Sequence, residues 1–210
     1  IKKEINSKLK KISLRYGLID MNRIITGYLK GNYNDSIDKF ETFNGDSISS
    51  WNNFSWNSRH YCTSILIPSE FTAKIKMDGK SPIVSDSKIH TITHVLVNAS
   101  KILTKSESND IDAYYENGAI HLFDNTSDGY NGCSKIIYDN FKSIMNTCFD
   151  LVNECDCSTD EKQKKSVIPG EIWGGCPKCT FTTNYCQTKN KKLSKKEALD
   201  FFSIFKRDEK

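Results

Sequence analysis

The sequence predicts an α+β protein in which a small antiparallel β unit is followed by a mainly helical, cysteine-rich domain. Three observations support this prediction. β-branched and aromatic residues concentrate between residues 22 and 68, and apolar residues recur at helical spacing from residue 85 onward. Five cysteines crowd into residues 155–186. We therefore expect a β-containing accessory domain over residues 1–80 and a helical domain over residues 81–210.

Composition sets broad limits on function. The chain has 210 residues, 37% of them hydrophobic, with a formal charge of +4 and a pI near 8.5. Mild basicity is compatible with nucleic-acid binding without establishing it. Since no apolar run approaches the roughly 20 residues that a membrane span requires, we expect no membrane partner. The chain begins with Ile1 rather than Met, which is compatible with a fragment or a processed product.

The first part of the chain is expected to form strands after one short helix. Basic residues and apolar residues at helical spacing predict an amphipathic helix over residues 1–17. Strands are predicted within residues 22–43, joined by a tight turn at Gly31-Asn32. A loop over residues 44–58 and a third strand over residues 59–68 complete the predicted β unit.

Apolar stripes dominate the remainder and predict three helices and one strand. The elements in chain order are a helix over 85–104, a polar loop over 105–117, a strand over 119–124, a helix over 133–154, and a last helix after Leu193. Ser194 and Glu197 fit the S-x-x-E capping box at the start of this last helix.

The clustered cysteines have the spacing of metal ligands. C-x-C, then C-x2-C, then one more cysteine gives the candidate set Cys155, Cys157, Cys176, Cys179 and Cys186. Thiolates in such pairs can surround one tetrahedral ion, and four filled positions leave no opening for water or substrate. We therefore predict a structural zinc ion, Zn²⁺, and read the second domain as zinc-binding. The ion would hold the end of the helix predicted over 133–154 against the start of the last helix.

Zinc needs four ligands, so one of the five cysteines is spare. Cys155 continues the apolar stripe of the helix predicted over 133–154 and could pack in the core instead. This slightly favours Cys157 as the fourth ligand. Unliganded thiols and disulfides are the alternatives to a metal site. Cys62, Cys133 and Cys148 are predicted to be buried or free thiols.

Two histidines lie one turn apart in the first long helix. His90 and His94 share a face, but Thr91 stands where the HExxH motif of zinc hydrolases requires a glutamate. No H-x-E sequence of the zinc deaminases occurs either. The pair is therefore predicted to be structural, and a catalytic zinc site is disfavoured.

Residues 155–198 contain, in this order, C-x-C, GCPxC, a further Cys and N-x-x-LSK-x-x-A. This order resembles the C-terminal zinc-binding region of MrfA-type superfamily 2 helicases. The eukaryotic branch of that family is the HRQ group, relatives of the RecQ-type repair helicases. The two histidines with Asn98, and Asp124 followed by a glycine turn, agree in order as well. Two features depart from the family pattern: residues 158–175 form a long insertion, and the turn reads Asp-Gly-Tyr-Asn-Gly.

This resemblance implies a non-motor accessory module of an ATP-dependent DNA helicase that moves 3′ to 5′ and serves DNA repair. The chain contains neither a G-x4-GK-[ST] phosphate loop nor a D-E-x-H box. We therefore expect this chain alone neither to hydrolyse ATP nor to unwind DNA. The implied partners are the motor domains of the parent protein and DNA, single-stranded or forked. The parent is expected in the nucleus if eukaryotic and in the cytoplasm otherwise.

Basic residues around the start of the last helix are the candidate phosphate contacts. They are Lys189, Lys191, Lys192, Lys195 and Lys196. The alternative function is a zinc-stapled protein-interaction module without nucleic-acid affinity, for which exposed aromatic residues such as Trp56 and Trp173 would be the contacts.

Overall fold

The computed structural model describes residues 2–6, 11–25, 31–34, 39–42, 54–67, 87–157, 176, 178–180 and 193–206. Its strands are β1 (Lys2–Asn6), β2 (Lys11–Ile25), β3 (Gly31–Asn34), β4 (Lys39–Thr42), β5 (Phe54–Leu66), β6 (Ile111–Glu116) and β7 (Ala119–Asp124). Its helices are α1 (Ser87–Thr104), α2 (Cys133–Asp139), α3 (Phe141–Asn153) and α4 (Lys195–Lys206). The predicted α+β class is confirmed.

The chain divides into two compact units. The smaller, Asp20–Arg59, contains the antiparallel pair of β3 and β4, in which Gly31 lies opposite Thr42. The larger consists of Ile1–Ile19 and His60–Lys210. The domain boundary predicted at residue 80 lies within residues 68–86, outside the described residues, and stays a prediction.

A five-stranded sheet in the order β1-β2-β5-β7-β6 runs through the larger unit. The pairs β1/β2, β5/β7 and β6/β7 are antiparallel, with Ile65 opposite Ile120 and Ile111 opposite Asp124. Helix α1 packs on β6, α3 and α4. Its apolar residues from Ile89 to Ala99 are buried, and Phe201 and Phe202 of α4 belong to the same core.

A buried carboxylate links the sheet to α2. Asp124, at the end of β7, is 0% exposed. It accepts the backbone N–H of Asn131 and Gly132 at 3.1 Å and of Ser134 at 2.6 Å. Gly132 has a φ of +83°, a left-handed conformation that glycine adopts without strain. The aspartate and the glycine turn noticed in the sequence therefore set the start of α2.

The helix predicted over residues 1–17 is wrong, because the structure forms β1 and β2 there. Ile5 lies opposite Ile12 in the antiparallel register of these strands. Ile12 and Leu14 are both buried, as alternate residues of a strand with one face on the core are. The apolar residues at the start of the chain thus fit both the spacing of a helix and the two-residue period of a strand. Pairing with neighbouring strands favours the strand.

Other boundaries also moved. Gly31-Asn32 forms part of β3 rather than a turn, β5 begins at Phe54 inside the predicted loop, and β6 occupies the end of the predicted polar loop. The predicted helix over 133–154 is two helices that meet at Asn140, whose φ of −111° and ψ of 31° interrupt the helical backbone. The strand predicted over 59–68 is confirmed as far as Leu66, and the strand over 119–124 is confirmed. The helix predicted over 85–104 and the last helix are confirmed as well.

Candidate metal centre

Four cysteines from two distant stretches meet at one point. Cys155 and Cys157 follow α3, while Cys176 and Cys179 come from the C-x2-C knuckle, and their sulfur atoms all lie within 4.8 Å of one another. The Sγ–Sγ distance is 3.6 Å both for Cys155 with Cys176 and for Cys157 with Cys179. Sulfurs bound tetrahedrally at about 2.3 Å to one zinc ion are about 3.8 Å apart. The set therefore fits a single ion, and the cysteines are free thiols rather than disulfides.

Backbone hydrogen bonds shape the knuckle around Cys176. The carbonyl of Cys176 accepts the N–H groups of Cys179 at 3.2 Å and Thr180 at 3.0 Å. The N–H of Cys176 donates to the Thr180 hydroxyl at 2.8 Å. The N–H of Lys178 points at the Cys176 sulfur at 3.4 Å. An N–H directed at a thiolate stabilises the charged form of the sulfur. The loop is thus arranged for metal-bound thiolates.

The buried sulfur of Cys179 needs a cation to ionise beside the other sulfur atoms. Burial raises the pKa of the Cys179 thiol well above its ordinary value, and the sulfurs of Cys155 and Cys157 add to this effect. A cysteine binds metal only as the thiolate. A dication resolves the conflict, and a closed set of four thiolates is typical of structural zinc. When bound, the ion would supply folding energy to this end of the domain rather than reaction chemistry.

Helix α1 holds the knuckle through two polar side chains one turn apart. His94 donates through Nδ1 to the Thr180 carbonyl at 3.1 Å, and Asn98 donates to the Cys179 carbonyl at 3.5 Å. Burial lowers the pKa of His94 to about 4, although its bond to Thr180 opposes the shift. A neutral imidazole therefore anchors the site, and the ring of His90 lies 4.3 Å from that of His94. The structural role predicted for the histidine pair agrees with this geometry.

Helix α4 contacts the same site through the residues at its start. The ammonium of Lys195 donates to the carbonyls of Cys155 at 2.8 Å and Cys157 at 3.1 Å. The Ser194 N–H donates to the Thr91 hydroxyl at 2.9 Å, and Ser194 caps the Glu197 N–H at 3.3 Å. The predicted cap is therefore present. Thr91, noted in the sequence only for not being a glutamate, holds the start of α4.

The structure places the predicted site residues unevenly. Cys155 and Cys157 both join the cluster, although the sequence favoured only Cys157 of the two. Lys195 is buried and Lys196 is exposed. The remaining predicted residues lie outside the described residues: Cys186, Lys189, Lys191 and Lys192, as does Trp173. The other three cysteines, Cys62, Cys133 and Cys148, are buried free thiols as predicted.

Thr91 and Asn98 were noticed in the sequence, but their contacts with the region of the metal centre were not predicted. Thr91 and Asn98 lie far from the cysteines along the chain and carry no spacing motif of their own. They are two of many polar side chains on α1, so the helix pattern does not set them apart. None of the helices in the described part of the chain is long and apolar enough to span a membrane.

Comparison with known proteins gives a family for this region. Residues 92–180 match the family model of the MrfA Zn-binding domain. The matched segment runs from α1 to the knuckle and includes all four clustered cysteines but not Cys186. No curated protein matches the chain.

Two solved structures of a helicase match the chain, and the first of them is similar in fold. The first, a crystal structure of the DUF1998 helicase MrfA bound to DNA, has a TM-score of 0.53 at 16% identity over 96% of this chain and 24% of that chain. The second, of MrfA, has a TM-score of 0.41 at 16% identity over 80% of this chain and 19% of that one. The chain thus spans about a quarter of the length of the first. Together with the geometry of the cysteine cluster, the family match identifies residues 92–180 as an MrfA-type zinc-binding domain with four cysteines to hold its structural zinc.

Proposed function

We propose that the chain is a non-motor accessory module of an ATP-dependent DNA helicase that moves 3′ to 5′ and acts in DNA repair. The module would brace the helicase motor and contribute to DNA binding, in the nucleus if the parent is eukaryotic. The observation that carries the proposal is the four-cysteine cluster within an MrfA Zn-binding domain. The similar helicase is about four times as long as the matched segment, which leaves room for a motor in the parent.

A bracing role requires a rigid module, and the centre supports rigidity by the number of elements that it ties together. The cysteines join the end of α3 to the knuckle, His94 and Asn98 join the knuckle to α1, and Lys195 joins α4 to the same carbonyls. A metal at this point would therefore fix three helices at once. Because four thiolates fill a tetrahedral shell, the centre stabilises structure and offers no position for substrate.

A contribution to DNA binding is supported by the exposed basic start of α4. Lys196 is exposed in the first turn of this helix, and helix N-termini attract phosphate groups. The related helicase structure is described as bound to DNA. Lys178 is a matched comparison, because it is also exposed but pairs with Asp156 at 2.9 Å beside the metal centre.

Fluorescence anisotropy with labelled oligo-dT, a fork and a duplex, measured at several salt concentrations, tests the DNA-binding part. For a single strand, the logarithm of the affinity should fall with the logarithm of the salt concentration by about 0.7 per phosphate contact. Lys196→Gln should weaken binding and reduce this slope, whereas Lys178→Gln should leave both unchanged.

Two outcomes would count against DNA binding. Affinity that does not change with salt would exclude phosphate contacts. An absence of binding to all three DNAs would favour the alternative, a zinc-stapled protein-interaction module without nucleic-acid affinity. Trp56 is the described residue that speaks for this alternative, being 40% exposed in the smaller unit.

A further inference from the structure

Lys195 is an unusual residue because it is a lysine that the fold buries. It is 8% exposed, whereas the next residue, Lys196, is exposed. Lysine is almost never buried unless its charge is compensated, because removing an ammonium from water is unfavourable. A specific interaction therefore holds Lys195 inside.

The ammonium of Lys195 is directed at the metal centre. Its Nζ lies 2.8 Å from the carbonyl of Cys155 and 3.1 Å from that of Cys157, and both residues belong to the cysteine cluster. Four thiolates, each of charge −1, around one ion of charge +2 leave a formal charge of −2. The loaded centre is thus an anion, and the buried ammonium lies against its backbone.

The place of Lys195 in α4 makes the arrangement more specific. Lys195 is the first residue of the helix, and the helix dipole disfavours a positive charge at an N-terminus. A neutral or acidic residue would suit the helix alone better. Ser194, just before it, is also tied inward by its bond to Thr91. The start of α4 is therefore built to deliver a cation to the cysteines.

We infer that Lys195 is a positioning residue of the metal centre that compensates the charge of the thiolate–zinc group and couples the docking of α4 to metal binding. The inference concerns the metal centre of the proposed module and does not require DNA binding. It replaces the expectation that the Lys195 ammonium contacts a DNA phosphate. Two adjacent lysines then have different roles, one inward to the metal and one outward to solvent.

The first test is the zinc dissociation constant, measured by competition with a chromophoric chelator. Lys195→Met keeps the length and apolar character of the stem but removes the charge, and it should weaken zinc binding about 10- to 100-fold. Lys195→Arg should lie nearer to the unmodified protein. The matched control Lys196→Met should leave zinc affinity unchanged. Equal zinc affinity in Lys195→Met and Lys196→Met would overturn the inference.

The second test uses the unmodified protein and so does not depend on a variant that folds. Hydrogen exchange is compared before and after zinc is stripped by a chelator. Residues 193–197 should lose protection with the metal, while the later part of α4, anchored by Phe201 and Phe202, should keep more of it. Unchanged protection at the start of α4 would overturn the coupling.

DNA binding separates this inference from the proposed function. If oligo-dT does not bind but Lys195→Met still weakens zinc binding, the DNA proposal fails and the role of Lys195 stands. If Lys195→Met lowers the salt slope for DNA while zinc affinity is unchanged, Lys195 is a phosphate contact and the inference is wrong.

Discussion

Replacing Cys176 by serine removes one of the four sulfur ligands and tests how far the metal supports the fold. Cys176 is buried, its sulfur lies 3.6 Å from that of Cys155, and its carbonyl accepts two knuckle N–H groups. A serine hydroxyl keeps the backbone turn but is a poor zinc ligand beside three thiolates. The perturbation therefore acts on metal binding with little change in volume.

The magnitude follows from what the metal and the core each contribute. Structural zinc supplies about 10–16 kcal/mol of binding free energy in finger-sized sites, and this becomes folding energy. Helix α4 has its own support, because Phe201 and Phe202 are 1% and 0% exposed. Each buried phenylalanine contributes about 1.5–3 kcal/mol, so about 3–6 kcal/mol of docking energy remains without zinc. Loss of the metal should therefore loosen the knuckle, the C-terminal end of α3 and the start of α4. The sheet should stay intact.

Hydrogen exchange read by mass spectrometry, together with the zinc content, measures this directly. In Cys176→Ser, residues 154–157, 178–180 and 193–197 should exchange faster, while β5 and β7 stay protected. Cys133→Ser is the control, since Cys133 lies in α2 outside the cluster and should keep its zinc. Unchanged exchange in the knuckle would show that the metal contributes little, and loss of protection in β5 and β7 would show that the whole unit depends on it.

Three further predictions concern the body of the larger unit. Asp124→Asn should lower the free energy of unfolding in urea by about 3 kcal/mol or more, because an amide cannot accept all three N–H groups that the carboxylate accepts. A loss below about 1 kcal/mol would contradict the capping role of Asp124. Phe202→Ala should cost about 3–5 kcal/mol and Phe205→Ala, only partly buried, distinctly less, and equal losses would refute the packing of α4. His94 has a folded pKa of about 4 against an ordinary 6.5. Because the unfolded chain binds this proton more readily than the folded one, the contribution of neutral His94 to the free energy of unfolding is complete above pH 6.5 and is lost as the pH falls toward 4. The loss is about 2 kcal/mol between pH 7 and pH 5. The stability difference between the unmodified protein and His94→Gln should shrink over that range, and a constant difference would exclude a neutral buried His94.

Local patterns in the sequence predicted what local physics decides. The cysteine spacing, the apolar stripe of α1 and the cap at Ser194 each involve residues within a few positions of one another, and the structure contains all three. The sequence favours Cys157 over Cys155 as a ligand, whereas the structure brings both into the cluster. Helix α3 ends at Asn153, so Cys155 has left the apolar stripe that it continues in the sequence and is free to face the metal.

Contacts between elements account for most of what the sequence did not predict. β1 has a single apolar residue, Ile5, and β6 follows directly on a polar stretch; each pairs with the strand that comes next in the chain, β2 and β7 respectively. The clasp between Thr91 and Ser194 joins residues 103 positions apart. Nothing near Thr91 in the chain could signal a partner at that distance.

The charges around the metal centre limit where DNA can lie. Beside the cysteines is an open groove of about 570 Å³ whose rim carries Asp150, Glu154 and Asp156 against the single ammonium of Lys178. The loaded thiolate centre adds negative charge of its own, so phosphate groups are repelled from this face. On the proposed DNA binding, we therefore expect the outward side of α4, where Lys196 is exposed, to be a better place for phosphate than this groove. Successive residues of a helix point about 100° apart, so the same backbone that turns Lys195 into the centre turns Lys196 toward solvent. The metal would thus act on DNA binding indirectly, by fixing the direction in which the basic start of α4 faces.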